Sequence, residues 1–279
     1  MKRYVLLLLL FLPGLNACEK IDLRGMFKAY ESVNTRFEAS MDWNSRNPDR
    51  NIDIDDDDYL LFVMADSHVG GTENLLKFFD RALEADALAA VMAGDLTTGR
   101  RTGYTHFERS LPDPEQIALF PMVGNHDLYF NGWEEYFTRL GSSTYLFTIE
   151  TPVATDLFIC LDTGSGTLGN RQLDWLRDIL SEKRPDYRHC IIFTHNNFFR
   201  PRFTSSTNPN VEELHVLTEL FTLHNVDMLI TGHDHKKSDH VLGNTRYLTL
   251  DALLDGYRNA GYLKLQSKEG ELVYTFVNF

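Results

Sequence analysis

Short apolar runs separated by helical patterns dominate the chain from residue 59 onward. Residues 59–65 form a continuous apolar run, which is typical of a strand buried on both faces. Thr72 can cap a following helix, whose apolar residues recur at helical spacing. These residues are Leu75, Leu76, Phe79, Ala82 and Leu83. Apolar runs at 88–93 and 118–123 predict two more strands, and this strand, helix, strand rhythm indicates a parallel α/β core.

The second half of the chain mixes further strands with two helices. Runs at 145–150 and 157–161 are separated by Thr151-Pro152 and are interpreted as neighbouring antiparallel strands. Leucines at helical spacing predict helices at 170–180 and 211–224. Strands are predicted at 190–194, 226–231, 246–250, 262–266 and 272–277, the last two joined at Glu269-Gly270. Two packed sheets with helices outside them account for this mixture.

The first 17 residues have the pattern of an export signal. Lys2 and Arg3 precede an apolar run at 4–12, which Pro13-Gly14 interrupts. The run is too short to span a bilayer as a helix, but it has the length of a secretory hydrophobic region. The next residues, Leu15-Asn16-Ala17-Cys18, resemble the lipobox of bacterial lipoproteins, whose cysteine becomes the lipid-bearing first residue. The alternative is ordinary cleavage with an incidental cysteine, which the large Leu15 disfavours.

This pattern divides the chain into three parts. A signal peptide at 1–17 is followed by a lipidated tether and leader at 18–58, and then by a globular domain at 59–279. The leader holds one weakly amphipathic stretch at 33–43, interpreted as a helix that packs on the domain. Acyl chains contribute about 0.8 kcal/mol per buried CH₂ group, so acylation of Cys18 would provide a membrane anchor. We therefore expect a bacterial membrane-anchored lipoprotein, periplasmic or at the cell surface, with the membrane as one partner.

Composition and charge narrow the class of protein. The 279 residues are 43% hydrophobic, which suits one large or two small domains with a core. A net charge of −13 without a basic stripe argues against a nucleic-acid partner. The acidic run at 53–58 is interpreted as a solvated linker, because it lacks the glycine and glutamate of a calcium loop. Cys160 and Cys190 lie in apolar runs and are interpreted as buried thiols rather than a disulfide.

Five of the predicted strands end in residues that commonly bind metals. These residues are Asp66 and His68, Asp95, Asn125 and His126, His195, and His233 and His235. Because ligands bind beyond the carboxyl ends of parallel strands, the five groups can converge. His233 and His235 are two residues apart, so on a strand both rings would point the same way. Imidazole, carboxylate and amide ligands without thiolate favour two divalent ions such as Mn, Fe or Zn.

Taken in order, these groups resemble the motifs of the calcineurin-like metallophosphoesterase family. Its pattern D-x-H, G-D, G-N-H-[DE], H and G-H-x-H is matched within roughly residues 59–250. Leu161-Asp162-Thr163 and the run at 172–176 are also similar to the family. The resemblance implies an α/β fold, a four-layer α/β/β/α sandwich of two mixed sheets.

The resemblance also implies a role for each residue of the site. One metal ion would be bound by Asp66, His68 and His235, and the other by Asn125, His195 and His233, with Asp95 bridging both. His126 would act as a catalytic residue beside the reacting phosphoryl group. Asp127 would hold the His126 ring by a hydrogen bond.

The expected activity is dinuclear-metal-dependent hydrolysis of a phosphate mono- or diester outside the cytoplasm. Two metal ions can share a hydroxide that attacks phosphorus in line, because metal binding lowers the pKa of water to about 7. The expected partner is a phosphorylated small molecule or lipid. The alternative is a non-catalytic surface lipoprotein that binds phosphorylated ligands through the metal site. The adjacent His126 and Asp127 favour the enzyme, because a purely structural site needs no acid beside its open face.

Overall fold

The computed structural model describes residues 31–48, 50–199 and 210–279. The predicted signal peptide and Cys18 lie outside the described residues. The α-helices are α1 (Val33–Arg46), α2 (Glu73–Glu84), α3 (Arg101–Arg109), α4 (Gly132–Leu140), α5 (Gly169–Asp178) and α6 (Val211–Leu223). Shorter segments are the 3₁₀ turns His126–Asn131 and Arg184–Asp186 and the π-helical turn Ile179–Lys183. No helix within the described ranges has the length and apolar character needed to cross a bilayer.

The described strands form two mixed sheets. The strands are β1 (Asn51–Asp53), β2 (Tyr59–Met64), β3 (Ala89–Ala93), β4 (Ala118–Met122), β5 (Tyr145–Glu150), β6 (Thr155–Cys160), β7 (Cys190–Phe193), β8 (Met228–Thr231), β9 (Ser238–Leu242), β10 (Thr245–Thr249), β11 (Gly261–Lys268) and β12 (Glu271–Asn278). One sheet has the order β1-β5-β6-β7-β8-β10-β9, and the other β12-β11-β2-β3-β4. Strands β2, β3 and β4 are parallel, as are β6, β7, β8 and β10. The predicted antiparallel pairing of β5 with β6 is confirmed.

Three apolar layers hold the sheets and helices together. The central layer lies between the sheets and contains Leu61 of β2, whereas the next residue, Phe62, faces the helices. This alternation lets one strand fill two layers. The Phe62 ring packs on Phe78 of α2 at a centroid distance of 5.9 Å. On the other side, Phe221 of α6 packs in a cluster with Leu229 of β8. The predicted four-layer α/β/β/α sandwich is therefore confirmed.

Part of the predicted leader is built into the sandwich. Helix α1 packs against α5 and β5, and its Arg36 and Phe37 are buried. Strand β1 pairs in parallel with β5 at the edge of the larger sheet. Strand β1 is not predictable from the sequence, because three residues with one apolar position provide no usable periodicity.

Four of the five aspartates in the acidic run are exposed, as expected of a solvated segment, but the carboxyl end of the run is attached to the fold and is not a free linker. Asp57 accepts a 2.7 Å hydrogen bond from the Thr151 hydroxyl and lies 2.9 Å from Arg188 Nη1. The Thr151 hydrogen bond, together with Arg188, holds the pKa of Asp57 below its usual value. Asp58 accepts a 2.8 Å hydrogen bond from the backbone N–H of Glu269. These contacts tie the run to both sheets.

The amino-terminal end of α2 is capped by a residue far away in the sequence. Thr72, the predicted cap, forms no capping hydrogen bond with its side chain. Instead, Asp255 accepts hydrogen bonds from the backbone N–H groups of Glu73, at 3.0 Å, and Asn74, at 2.7 Å. The prediction for Thr72 is therefore corrected. A carboxylate at this position accepts hydrogen bonds from two otherwise free N–H groups, and its negative charge interacts favourably with the positive end of the helix dipole.

Asp255→Ala is expected to lower the free energy of unfolding by about 0.5–2 kcal/mol, because two N–H groups lose their acceptor. Denaturant unfolding of the wild type and the variant measures this difference. Thr72→Ala is the matched control and should cost less. An equal loss in both variants would contradict the assignment of Asp255 as the cap.

Cys160 and Cys190 are buried free thiols, which confirms the prediction. In the β6–β7 ladder, Cys160 lies opposite Phe193 and Cys190 lies opposite Leu157. The two cysteines are thus three positions apart along the ladder, or about 10 Å at 3.3 Å per residue. A disulfide does not reach across that distance. Burial raises the pKa of each thiol to about 12.

Both thiols are expected to resist labelling in the native protein, since a buried thiol with a raised pKa forms little thiolate. In a Cys18→Ser background, an aromatic disulfide reagent should release no chromophore within minutes. Adding denaturant should release two equivalents. Rapid native labelling at either position would contradict the burial of these side chains.

Candidate metal centre

The residues predicted to bind metal lie in turns that follow five strands. Asp66 and His68 follow β2, Asp95 follows β3, Asn125 follows β4, His195 follows β7, and His233 and His235 follow β8. All seven are buried. The turns therefore bring residues that are distant in the sequence to the carboxyl ends of parallel strands, as predicted for an α/β fold.

Five of these residues adopt a left-handed backbone conformation. Their φ angles are 56° for Asp66, 41° for His68, 52° for Asp95, 74° for His233 and 56° for His235. Asp and His tolerate this region better than most residues, but such strain concentrates at functional sites. The reason given above for the proximity of His233 and His235 is corrected, because both lie in a turn beyond β8 and not on the strand.

The first group of ligand-type atoms contains Asp66, His68 and His235. Asp66 Oδ1 lies 3.3 Å from His235 Nε2 and 3.7 Å from His68 Nε2. The Nε2 atoms of the two imidazoles are 3.1 Å apart. One ligand atom from each residue lies within 4.8 Å of the others, which is a spacing suited to one metal ion.

The second group contains Asp95, His195 and His233. Asp95 Oδ2 lies 3.2 Å from His195 Nε2, and His195 Nε2 lies 3.2 Å from His233 Nδ1. The same Asp95 oxygen is 3.7 Å from His68 Nε2 of the first group. A single carboxylate oxygen therefore faces both groups.

The other oxygen of each carboxylate is fixed by the backbone of the opposite turn. Asp66 Oδ2 accepts a 2.8 Å hydrogen bond from the N–H of His233. Asp95 Oδ1 accepts a 2.7 Å hydrogen bond from the N–H of His126. Each carboxylate is thus oriented by one oxygen and presents the other to the imidazoles.

The charges of the centre favour a bound cation. Burial alone would raise the pKa values of Asp66 and Asp95, but the imidazoles, chiefly His235 and His195 respectively, hold both below the usual value. Burial lowers the pKa of His68 to about 3. Burial would also lower the pKa of His195, but Asp95 outweighs it and raises that pKa to about 10. Metal ligation requires ionised carboxylates and neutral imidazoles, so a divalent cation would replace the proton beside Asp95.

His126 lies at the more open side of the centre. Its side chain is 15% exposed, whereas that of His195 is fully buried. The His126 ring packs edge-on against His68 at a centroid distance of 4.6 Å, and Nε2 lies 4.0 Å from Asp95 Oδ2. His126 is therefore near the centre without being enclosed by it.

Asp127 does not hold the His126 ring, which corrects the expectation for this residue. Its carboxylate accepts hydrogen bonds from the N–H groups of Leu96, Thr97 and Gly124 at 2.8–3.1 Å and from the Thr97 hydroxyl. Burial, with repulsion from Asp95, raises the pKa of Asp127 to about 7. Successive residues of a 3₁₀ turn point in different directions, so the Asp127 side chain does not follow that of His126. It connects the turn after β3 to the turn after β4.

A sequence model of the calcineurin-like phosphoesterases matches residues 59–237, which is more than half of the chain and includes every predicted metal ligand. The chain belongs to the calcineurin-like phosphoesterase family. Hydrolysis of phosphate esters at a dinuclear divalent metal centre is the activity of this family, and the phosphoesterase is an enzyme of that class.

Solved structures share the fold of the phosphoesterase at low sequence identity. One is described as GAP50, the anchor in the inner membrane complex of Plasmodium, with a TM-score of 0.63, 13% identity, and coverage of 79% of this chain and 84% of that chain. Another is a dimetal phosphatase from Danio rerio, with a TM-score of 0.62, 14% identity, and coverage of 79% and 96%. At such identity the likeness establishes the fold alone. No match was found among curated proteins.

The side chains of the phosphoesterase fit two metal ions. Asn125 Oδ1 is a buried oxygen that accepts no hydrogen bond from any residue the structure describes, and Asp66 Oδ1 is a buried oxygen that faces the imidazoles of His235 and His68. A buried oxygen without a partner costs about 1–3 kcal/mol. A cation beside each oxygen would satisfy both atoms, and oxygen with imidazole is a donor set that suits Mn, Fe or Zn.

Two residues support the ligand turns in roles that the sequence did not assign to them. Thr163 Oγ1 accepts hydrogen bonds from the N–H groups of His195, at 3.2 Å, and Asn196, at 2.9 Å. The family-like Leu161-Asp162-Thr163 motif already contained this signal. The Tyr257 hydroxyl donates a 2.9 Å hydrogen bond to the His235 carbonyl. Tyr257 lies beyond the matched region, and no local pattern indicates its role.

Proposed function

We propose that the phosphoesterase hydrolyses a phosphate mono- or diester outside the cytoplasm, with two divalent metal ions bound by seven side chains. Asp66, His68 and His235 would hold one ion, and Asn125, His195 and His233 the other, with Asp95 shared. The position of Asp95 carries this proposal. Its Oδ2 atom lies 3.2 Å from His195 Nε2 and 3.7 Å from His68 Nε2, so one oxygen reaches both groups.

When bound, the two ions supply a hydrolytic nucleophile at neutral pH and positive charge for the phosphoryl oxygens. The chain itself sets the orientation of the ligands. His195 Nδ1 lies 3.0 Å from the Ala93 carbonyl oxygen, so Nδ1–H donates to that oxygen and Nε2 faces Asp95. Backbone N–H groups orient Asp66 and Asp95 in the same way. The ligands are therefore preorganised by the fold.

His126 is proposed to act on the substrate. It is more exposed than the imidazoles assigned as ligands, and its Nε2 lies 4.0 Å from the shared carboxylate. At this position a protonated ring would stabilise negative charge on the phosphoryl group or donate a proton to the leaving oxygen. The contacts with His68 and Tyr129, at centroid distances of 4.6 and 4.7 Å, limit the movement of the ring.

Hydrolysis of p-nitrophenyl phosphate and bis-p-nitrophenyl phosphate with added Mn²⁺ tests this function. Release of p-nitrophenol that is abolished by a chelator and restored by metal would support the enzyme. No release with Mn²⁺, Fe²⁺ or Zn²⁺ would contradict it and favour a non-catalytic protein that binds phosphorylated ligands. The ratio of the two activities separates a monoesterase from a diesterase. A panel of phosphorylated lipids, sugars and nucleotides then identifies the substrate class.

The location outside the cytoplasm is proposed from Cys18 and the apolar run that precedes it. In a bacterial host, labelled palmitate should enter the wild type and should fail to enter Cys18→Ser. Cys190→Ser is the matched control and should retain the label, because that residue is a buried thiol. Equal labelling of the wild type and Cys18→Ser would contradict the lipid anchor.

A further inference from the structure

Arg36 of α1 forms a buried ion pair with Asp162, which lies 126 residues further along the chain. Arg36 Nε lies 2.7 Å from Asp162 Oδ2, and Nη2 lies 3.0 Å from Oδ1. The two side chains are 1% and 0% exposed. Nη2 also donates a 3.0 Å hydrogen bond to Ser165 Oγ. A bidentate pair of this kind fixes the direction of both groups as well as their distance.

The Arg36 pair acts on a loop whose backbone is already clamped. The N–H of Asp162 donates to Gln172 Oε1 at 2.8 Å, and Gln172 Nε2 donates back to the Asp162 carbonyl at 2.8 Å. Asp162 Oδ1 accepts a 3.0 Å hydrogen bond from the N–H of Gly164. Together with the Arg36 pair, these bonds hold both the backbone and the side chain of Asp162 in the loop at 162–165, which follows β6.

This loop contacts two of the turns that carry metal ligands. Thr163 Oγ1 accepts hydrogen bonds from the N–H groups of His195 and Asn196. Gly164 packs so closely on the turn before Asn125 that an added Cβ would lie 2.9 Å from the Gly124 carbonyl oxygen. The loop therefore supports the backbone beside both His195 and Asn125.

We propose that Arg36 is a positioning residue for the metal ion assigned to Asn125, His195 and His233, and that it acts through Asp162 and Thr163. Helix α1 lies before the region that the family model matches, so this support comes from outside that region. The inference rests on the proposed function, because that function assigns the second metal position. Helix α1 of the leader would then help to position a metal ligand in the catalytic domain.

Arg36→Met removes the pair, and titration calorimetry with Mn²⁺ alone measures the result. We expect one of two binding steps to weaken about 10- to 100-fold, as is typical when a residue behind a ligand is lost. The other step should change less, and kcat should fall with little change in KM. Arg36→Lys keeps the charge without the planar fork and should recover part of the affinity. Arg171→Met is the matched control, since it removes an exposed partner of Glu38 on α1 and leaves Asp162 paired.

An Arg36→Met, Asp162→Leu double variant separates positioning from stability. Replacing a buried ion pair by apolar side chains often leaves stability unchanged. A double variant with the wild-type melting temperature and weakened Mn²⁺ binding supports the inference. Normal binding of both ions in the double variant overturns it. A wild type that binds fewer than two ions and hydrolyses no ester contradicts the proposed function instead, whatever Arg36 does.

Discussion

Asp95→Asn is expected to lower kcat/KM by at least about 1,000-fold, or about 4 kcal/mol of transition-state stabilisation. The carboxylate faces His195 at 3.2 Å and His68 at 3.7 Å, so its negative charge serves both metal positions. An amide keeps the shape and still accepts the hydrogen bond from the N–H of His126. It lacks the charge that offsets two dications. Metal analysis of the purified variant should find at most one tightly bound ion per chain.

Asp174→Asn is the matched control for Asp95→Asn, because it makes the same chemical change at a side chain that is 70% exposed. Its kcat/KM and metal content should equal those of the wild type. If Asp95→Asn bound two ions with wild-type affinity and kept its activity, Asp95 would not be the shared ligand. The assignment of the two metal positions would then be wrong.

The strands and their terminal residues were predictable because parallel strands buried on both faces are continuous apolar runs. Residues 59–65 and 228–230 are such runs, and the structure has β2 at Tyr59–Met64 and β8 at Met228–Thr231. The ligand-type residues follow directly, so strand prediction also located the centre. Strands β1 and β9 were missed, since Asn51–Asp53 and Ser238–Leu242 are polar edge strands without a buried run.

Contacts between distant residues could not be predicted from local patterns. Thr72 is a residue type that commonly caps helices. The capping hydrogen bonds of α2 come instead from Asp255, which lies in a loop that the fold brings alongside the helix. The ion pair of Arg36 with Asp162 spans 126 residues. The left-handed turn at His233 and His235 likewise depends on tertiary contacts, such as the bond from the His233 N–H to Asp66.

The motif at Asp127 predicts which residue occupies the position but not which groups its side chain contacts. The motif correctly located Asp127 beside His126, but its carboxylate accepts three backbone N–H bonds and the Thr97 hydroxyl. A buried carboxylate is directed to the strongest set of donors within reach, and here these are backbone groups of two turns. Asp127 therefore holds the backbone of the turn directly after Asp95.

His126→Ala is expected to lower kcat about 100- to 10,000-fold, which is the usual contribution of a general acid or base. Both metal ions should remain bound, because His126 is the imidazole on the open side and the proposed ligands do not include it. Steady-state kinetics and metal analysis on one preparation measure the two quantities together. His106→Ala, at an exposed residue of α3, is the matched control and should behave as the wild type.

The metal analysis decides between two roles for His126. Ligand-type atoms of His68, Asp95 and His126 lie within 4.8 Å of one another, so geometry alone would allow His126 to bind an ion. Loss of one ion in His126→Ala would make it a ligand and overturn the proposed catalytic role. If both ions are retained and kcat falls strongly, His126 acts on the substrate and not as a metal ligand. A leaving group of low pKa, such as p-nitrophenolate, should then suffer a smaller loss than an alkyl alcohol, because it needs less protonation as it departs.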